Sequence, residues 1–423
     1  MKKTLTVLAA TLIAATALAG CSGSSSKKDD ITLRIAMVSP GEGVIKVWEQ
    51  IRDKYEDAHP GIKVELNYQE DAIYQSVGLP NLLSGANAPD IYFEWAGERL
   101  RNRIEGGYAA DLTEALKQEG FKDVFSEGDF KGMELDGKTY MIPTASDVSN
   151  IIWYNKKLFA ENGVEPPQTW EQFLEACEKL KAAGIKPIVS GNKDLWPGGN
   201  WIAHLVSRVV GEQAYGDALQ LEQPFNSPDF VAAFGYAREL WDKGYLNDSV
   251  NAIADDEADS LFFNGQAAMH PIGSWLVSGA MESAPDLDLG YFNLPAMPGG
   301  KGDQTSVLGV QNGFVINAKS PHFQLAVDFM AEYSSPESSK QLADAGAMPI
   351  AKGGVDTEHT DALSLSLIDM MKSSSMVVSP PDIGYNVEIA NAFNMAVSQV
   401  LGGVKTAEEA LAELDKTIAP LKK

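Results

Sequence analysis

The chain has 423 residues and a formal net charge of −24, from 58 Asp+Glu against 34 Lys+Arg. That charge repels nucleic acid and anionic lipid, which excludes both as binding partners of the folded chain. Hydrophobic residues make up 44% of the chain, enough for a globular protein, and its length is too great for one core, so two domains are expected.

At the amino terminus, Lys2 and Lys3 precede an apolar stretch from Leu5 to Leu18. It is shorter than the ~20 residues of a membrane-spanning helix. Residues 1–20 therefore read as a signal peptide, removed from the mature chain. Its end, Leu18-Ala19-Gly20-Cys21, resembles the lipobox of bacterial lipoproteins. The resemblance implies that Cys21 becomes the first residue and carries a lipid. Residues 21–30 continue as a Ser/Gly/Lys/Asp-rich flexible tether. The other cysteine, Cys177, then has no disulfide partner; it lies at helical spacing from Phe173, Leu174 and Leu180 and reads as a small buried thiol. No later segment has the length and apolarity of a membrane span, so the lipid would be the sole membrane attachment.

Beyond the tether, strand and helix patterns alternate. Residues 31–38 alternate as a strand. Val44, Trp48, Ile51 and Tyr55 then form one helical face, which Pro60-Gly61 ends. Ile62 to Leu66 and Ile91 to Phe93 are the next strands. This order predicts an α/β fold with a mostly parallel sheet, and ligands in such sheets bind at the carboxyl ends of strands. Residues 138–143 are extended and 151–154 form a strand. Thr169 and Gln172 have capping-box spacing for a helix reaching Gly184. Asp255 to Asp259 opens a helical stretch that ends near Gly265, and residues 307–318 predict a strand pair about Gly313. Ile389, Phe393, Val397 and Val400 mark a helix ended by Gly402-Gly403, and Thr406 with Glu409 caps the last one.

No catalytic or cofactor motif emerges. The five histidines, His59, His204, His270, His322 and His359, show no paired helical spacing, and HExxH or paired cysteine ligands are absent, so no metal site is predicted. There is no G-x-S-x-G elbow. Residues 298–302 (PGGKG) lack the phosphate-loop pattern and read as a turn. The acidic run 255–259 reads as carboxylates favoured by a helix amino terminus rather than as a calcium site. Carboxylates are abundant, but none are paired by spacing as a glycosidase would need. These absences favour a binding protein over an enzyme.

Several landmarks together resemble extracellular solute-binding protein family 1, which includes maltose-binding relatives. They are Gly137 to Pro143, Trp153-Tyr154-Asn155-Lys156, Pro167 to Trp170, Phe263 to Met269 with Gly273-Ser274-Trp275, Leu294 to Gly300, and Leu401-Gly402-Gly403 to Leu411. They run in family order from about residue 32 to 418. The resemblance implies two α/β lobes, with the ligand held in a cleft between them. Residues 31–144 plus 298–352 would form one lobe and 148–293 plus 357–423 the other, with hinge crossings at 144–147 and 294–297.

The same resemblance implies an extracellular protein that gives a sugar, as an oligosaccharide or monosaccharide, to the permease subunits of an ABC importer. It is expected to be a monomer held at the extracellular face of the cell membrane through Cys21, on the periplasmic side if an outer membrane is present, with no cofactor. A sugar has an apolar face that stacks on aromatic rings and a rim of hydroxyls that suits carboxylates, amides and Arg. Trp95, Glu98 and Arg99 after the third strand resemble the Trp–acid–Arg cluster of the maltose-binding relatives. Asp147 matches a ligand-contacting acid and Trp275 a stacking tryptophan. Trp196 in the 194–199 loop, Asp382 and Tyr385 before the late helix, and Glu42 after the first strand complete the candidate site. Departures from the maltose-binding pattern near residues 39–43 and 194–200 point away from maltodextrin itself. A glycerophosphodiester or other small solute is the alternative ligand, which would need a basic cleft where only Arg99 is available. An adhesion or sensing lipoprotein is the alternative role.

Overall fold

The computed structural model describes residues 31–422 except 354, 356–361 and 375. Residues 1–30, where the sequence leads one to expect a signal peptide, the lipidated Cys21 and a tether, lie outside the described residues. β1 (Ile31–Val38) leads to α1 (Glu42–Ala58), whose buried face carries Val44, Val47, Trp48, Ile51 and Tyr55. β2 (Ile62–Gln69) and β3 (Ile91–Trp95) both pair with β1 in parallel. Trp48 stacks on Tyr333 at 4.4 Å and meets Phe314 edge-on. This aromatic contact joins α1 to α7 (Phe323–Tyr333) across the first-lobe core.

The second lobe is built around helices α3 (Trp170–Ala182), α4 (Trp196–Val210), α8 (Val387–Leu401) and α9 (Ala407–Ile418). Trp170, Phe173, Leu180, Trp201 and Phe393 are buried among them, and Cys177 is a buried free thiol. The capping boxes expected at Thr169–Gln172 and Thr406–Glu409 are both formed. Each satisfies backbone N–H groups that the first helical turn leaves without partners.

Long strands join the lobes. β4 (Ile142–Asn155) pairs over its first half with β8 (Val307–Ile316), and over residues 151–155 with β6 (Ala267–Ile272) and β7 (Leu289–Phe292). β8 in turn pairs antiparallel with β3. With β5 (Lys186–Ile188) the sheet order is β2-β1-β3-β8-β4-β6-β5. The sheet is therefore mixed and not mostly parallel. Its two outer ends, β1 with β2 and β3, and β5 with β6, keep parallel pairing, while the central β3–β8–β4–β6 pairs are antiparallel.

Two local readings change. Residues 307–316 form one strand rather than a pair with a turn at Gly313. Gly313 serves close approach: a Cβ there would lie 2.2 Å from the Ile142 carbonyl oxygen, at a register shift in the β8–β4 pairing. Trp196 does not sit in a loop but begins α4. Pro197 suits the first turn, where its missing N–H costs nothing, and Gly199 leaves room for the Asn394 side chain, which a Cβ would meet at 2.2 Å.

Residues 144–147 lie within the joining strand β4. Leu294 and Met297 belong to the second-lobe core. The buried guanidinium of Arg208 donates to the carbonyls of Leu294 and of Ser306, the latter at 2.7 Å, and Lys301 N donates to Val209 O at 3.1 Å. These bonds hold residues 294–306 against α4, ahead of β8.

Candidate ligand-binding cleft

The joining strand β4, its neighbour β8 and the loop after β6 meet at Asp147. Its Oδ2 accepts from Asn312 Nδ2 at 2.6 Å and its Oδ1 from Ser274 Oγ at 3.3 Å. Asn312 lies on β8 and Ser274 follows β6, so one carboxylate ties the joining strand to both neighbours. Asn312 Oδ1 also accepts from Thr144 Oγ1 at 2.9 Å. Burial pushes the Asp147 carboxyl up to about 6, against the opposing pull of these two donors.

Trp275 follows Ser274 directly, just before α6 (Leu276–Ser283). Its indole folds back over Gly273, where a Cβ would lie 2.0 Å from the ring, so that position needs glycine. The loop is held from beneath: Trp153 Nε1 donates to Gly273 O at 3.0 Å, and Ser274 N donates to Val148 O at 2.8 Å. Trp196 meets Trp275 with ring centroids 5.7 Å apart and planes tilted by 57°. Both indoles are half-buried and form an aromatic corner on the second-lobe side.

A second group gathers where α2 (Glu98–Glu105) meets the helical turn Pro381–Gly384. The Arg99 guanidinium lies over the Trp95 ring at 5.1 Å, donates through Nε to Asp382 O at 3.1 Å, and donates through Nη2 to Gln75 Oε1. Asp382 Oδ1 is buried without a hydrogen-bond partner, and burial raises its carboxyl while Arg99 lowers it. Asp71 accepts from Gln75 Nε2 at 2.6 Å, and burial pushes its carboxyl up to about 7. Trp95 itself is 9% exposed and packs edge-on against Phe93, beneath Arg99.

Of the candidates named from sequence, Trp196, Trp275 and Asp147 thus lie about the joint between the lobes, while Trp95, Arg99 and Asp382 form the second group. Tyr385 is half-buried against Tyr215, edge to face at 5.9 Å. Glu98 is partly buried and pairs with Arg101 three residues along α2. Glu42 is exposed, and its backbone N–H donates to Glu282 Oε2 of α6 at 3.3 Å, a contact between the lobes. Sequence reasoning missed Asp71, Gln75, Ser274 and Asn312. Asp71 follows the carboxyl end of β2, the one strand-end loop of the first lobe left unsearched, so the strand-end rule would have found it.

A family model for bacterial extracellular solute-binding proteins matches residues 40–340. The chain is 25% identical over 363 residues to the multiple sugar-binding protein of Streptococcus mutans, covering 82% of each chain. It is 22% identical over 433 residues to an uncharacterised ABC transporter extracellular-binding protein of Pyrococcus horikoshii, covering 99% of this chain and 95% of that one. A solved chitin oligosaccharide binding protein superposes with a TM-score of 0.83 at 25% identity, covering 93% of this chain and 99% of that one. A structure from a study of xylan utilization by Caldanaerobius polysaccharolyticus gives a TM-score of 0.83 at 26% identity, covering 92% of this chain and all of the other. With two lobes joined by β4 and β8 and a family match across most of its length, the chain belongs to the bacterial extracellular solute-binding proteins.

Proposed function

We propose that this protein captures a carbohydrate outside the cytoplasm and delivers it to the permease subunits of an ABC importer, tethered to the membrane by a lipid on Cys21. The observation that carries the reading is the Trp196–Trp275 corner beside the Asp147–Ser274–Asn312 cluster. Tilted indoles offer apolar faces to a pyranose, and carboxylate, hydroxyl and amide groups satisfy its hydroxyl rim. The names of the sugar-binding relatives agree with this chemistry. The expected role is binding without turnover, by a monomer.

A phosphorylated solute is disfavoured. Arg99 is already engaged by Gln75 and by the Asp382 carbonyl, and Asp71 and Asp382 lie beside it. A phosphate there would meet carboxylates and little free positive charge.

The test is a thermal-shift screen of the mature chain against neutral sugars, amino sugars and glycerophosphodiesters. A true ligand at 100 times its Kd adds about 2.7 kcal/mol of stability. A carbohydrate should raise the melting temperature and be recovered intact after incubation. A shift given only by phosphodiesters, or cleavage of the bound sugar by repurified protein, would overturn the reading.

A further inference from the structure

A second group of functional side chains lies on the second lobe, apart from the aromatic corner. α5 (Asp255–Phe263) carries Asp255 and Asp259 one helical turn apart, and both face His270 on β6. His270 is wholly buried. Its Nδ1 lies 2.9 Å from the Val189 carbonyl oxygen, which can only accept, so Nδ1 holds a proton. In the neutral ring, Nε2 then presents a lone pair. That lone pair points at Asp259 Oδ1, 3.0 Å away, and Asp255 Oδ1, 3.8 Å away. Asp255 Oδ1 is sealed from solvent and receives no hydrogen bond.

Three acceptor atoms from three side chains therefore converge, all within 4.8 Å of one another. A shared proton between Nε2 and Asp259 can satisfy one of these contacts, but it leaves Asp255 Oδ1 without a partner, which a bound cation would supply. The carboxyl groups of Asp71, Asp194 and Asp256 lie close enough to act on Asp255 electrostatically. We propose that Asp255, Asp259 and His270 form a site for a divalent transition-metal cation that accepts both nitrogen and oxygen ligands, such as zinc or manganese.

The geometry supports this assignment. Ligands about 2.0–2.1 Å from a metal stand roughly 3.0 Å apart in an octahedron and roughly 3.3 Å apart in a tetrahedron. The two separations from His270 Nε2, 3.0 and 3.8 Å, bracket those edges, and all three atoms lie within 4.8 Å of one another, so side-chain rotation can bring them onto one metal. One imidazole nitrogen with two carboxylates suits zinc or manganese better than calcium or magnesium, which take oxygen ligands alone. The Val189 carbonyl fixes the tautomer and the ring plane, as the outer partners of metal-bound histidines do. The acidic run reads as an ordinary helix start from sequence because His270 is distant in the chain and lies on a strand.

The test uses the untagged mature chain, stripped with EDTA and titrated calorimetrically with zinc and with manganese. One saturable site of about micromolar affinity or tighter is expected. Asp255→Asn and Asp259→Asn should each weaken it by roughly tenfold or more, since even outer partners of metal ligands contribute that much. Asp255→Asn is the principal variant, because it removes no hydrogen bond and should fold. Cobalt should develop visible absorption bands with the wild-type chain and lose them with His270→Gln. If neither metal saturates a site, or if wild type and both aspartate variants of native circular dichroism bind alike, the proposal fails and the cluster is a structural His–Asp hydrogen bond.

Discussion

The indoles of Trp196 and Trp275 stand 5.7 Å apart and tilted by 57°, although 79 positions separate them in the chain. Neither is fully buried. A micromolar sugar complex corresponds to about −8 kcal/mol. Truncating one aromatic platform at a binding hot spot removes about 2–4 kcal/mol. Trp275→Ala should thus weaken sugar binding roughly 30- to 800-fold while leaving the fold intact. Calorimetry with the sugar found by screening measures this. Wild-type affinity in the variant would remove Trp275 from the site.

The matching stability control is Trp170→Ala. Trp170 is 2% exposed and packs against Phe173 and Tyr236 in the second-lobe core. Its loss should cost about 3–5 kcal/mol of stability with little change in affinity for the folded protein. Trp153 serves less well, because its indole N–H holds the Gly273 carbonyl beneath Trp275. Trp153→Ala should impair both stability and binding, and denaturant melts paired with calorimetry separate the two cases.

Gly273→Ala tests how Trp275 is aimed. The added methyl would overlap the indole, 2.0 Å from the ring, so the ring must swing away. Sugar affinity should fall about as far as in Trp275→Ala. Melting should change less than in Trp170→Ala, because the half-buried indole can move toward solvent. Unaltered binding by the Gly273→Ala variant would mean that the ring orientation seen here is not the one that meets the ligand.

Asp147 makes a pH prediction. Its folded carboxyl is raised to about 6, against about 3.9 in an unfolded chain. Below pH 4 both states are protonated and there is no penalty. Between pH 4 and 6 the folded state binds the extra proton, so stability falls as pH rises, and the penalty is complete above 6. Two pH units correspond to about 3 kcal/mol at most. Relative to wild type, Asp147→Asn should therefore gain up to about 3 kcal/mol on going from pH 4 to 7 without ligand. Chemical melts at each pH measure it, and a difference that stays flat would show that Asp147 ionises normally.

Cys21→Ser should leave the precursor without lipid and release any cleaved protein from the membrane. Fractionation of cells expressing each form, followed by immunoblotting, gives the answer. Membrane association equal to wild type would refute the anchor.

Much of this protein was determined by its sequence through local physics. The helical spacing of Val44, Trp48, Ile51 and Tyr55 specifies α1 because a 3.6-residue period places them on one face. Thr169 and Gln172, like Thr406 and Glu409, mark helix starts because each pair can close its own capping bonds. The α/β class and the first joining strand follow from such patterns and from the family landmarks. Tertiary structure decided what depends on residues distant in the chain. It turned Gly313 from an apparent turn into a point of close strand approach, and Pro197-Gly198-Gly199 from a loop into the start of a helix. It pinned residues 294–306 to α4 through the Arg208 guanidinium and backbone carbonyls that no pattern reveals. It also set Trp95 beneath Arg99, brought Asp71 and Gln75 beside them, and turned His270 toward Asp255 and Asp259. Periodicity records only which face of an element is buried; what that face meets depends on the packing of the whole chain.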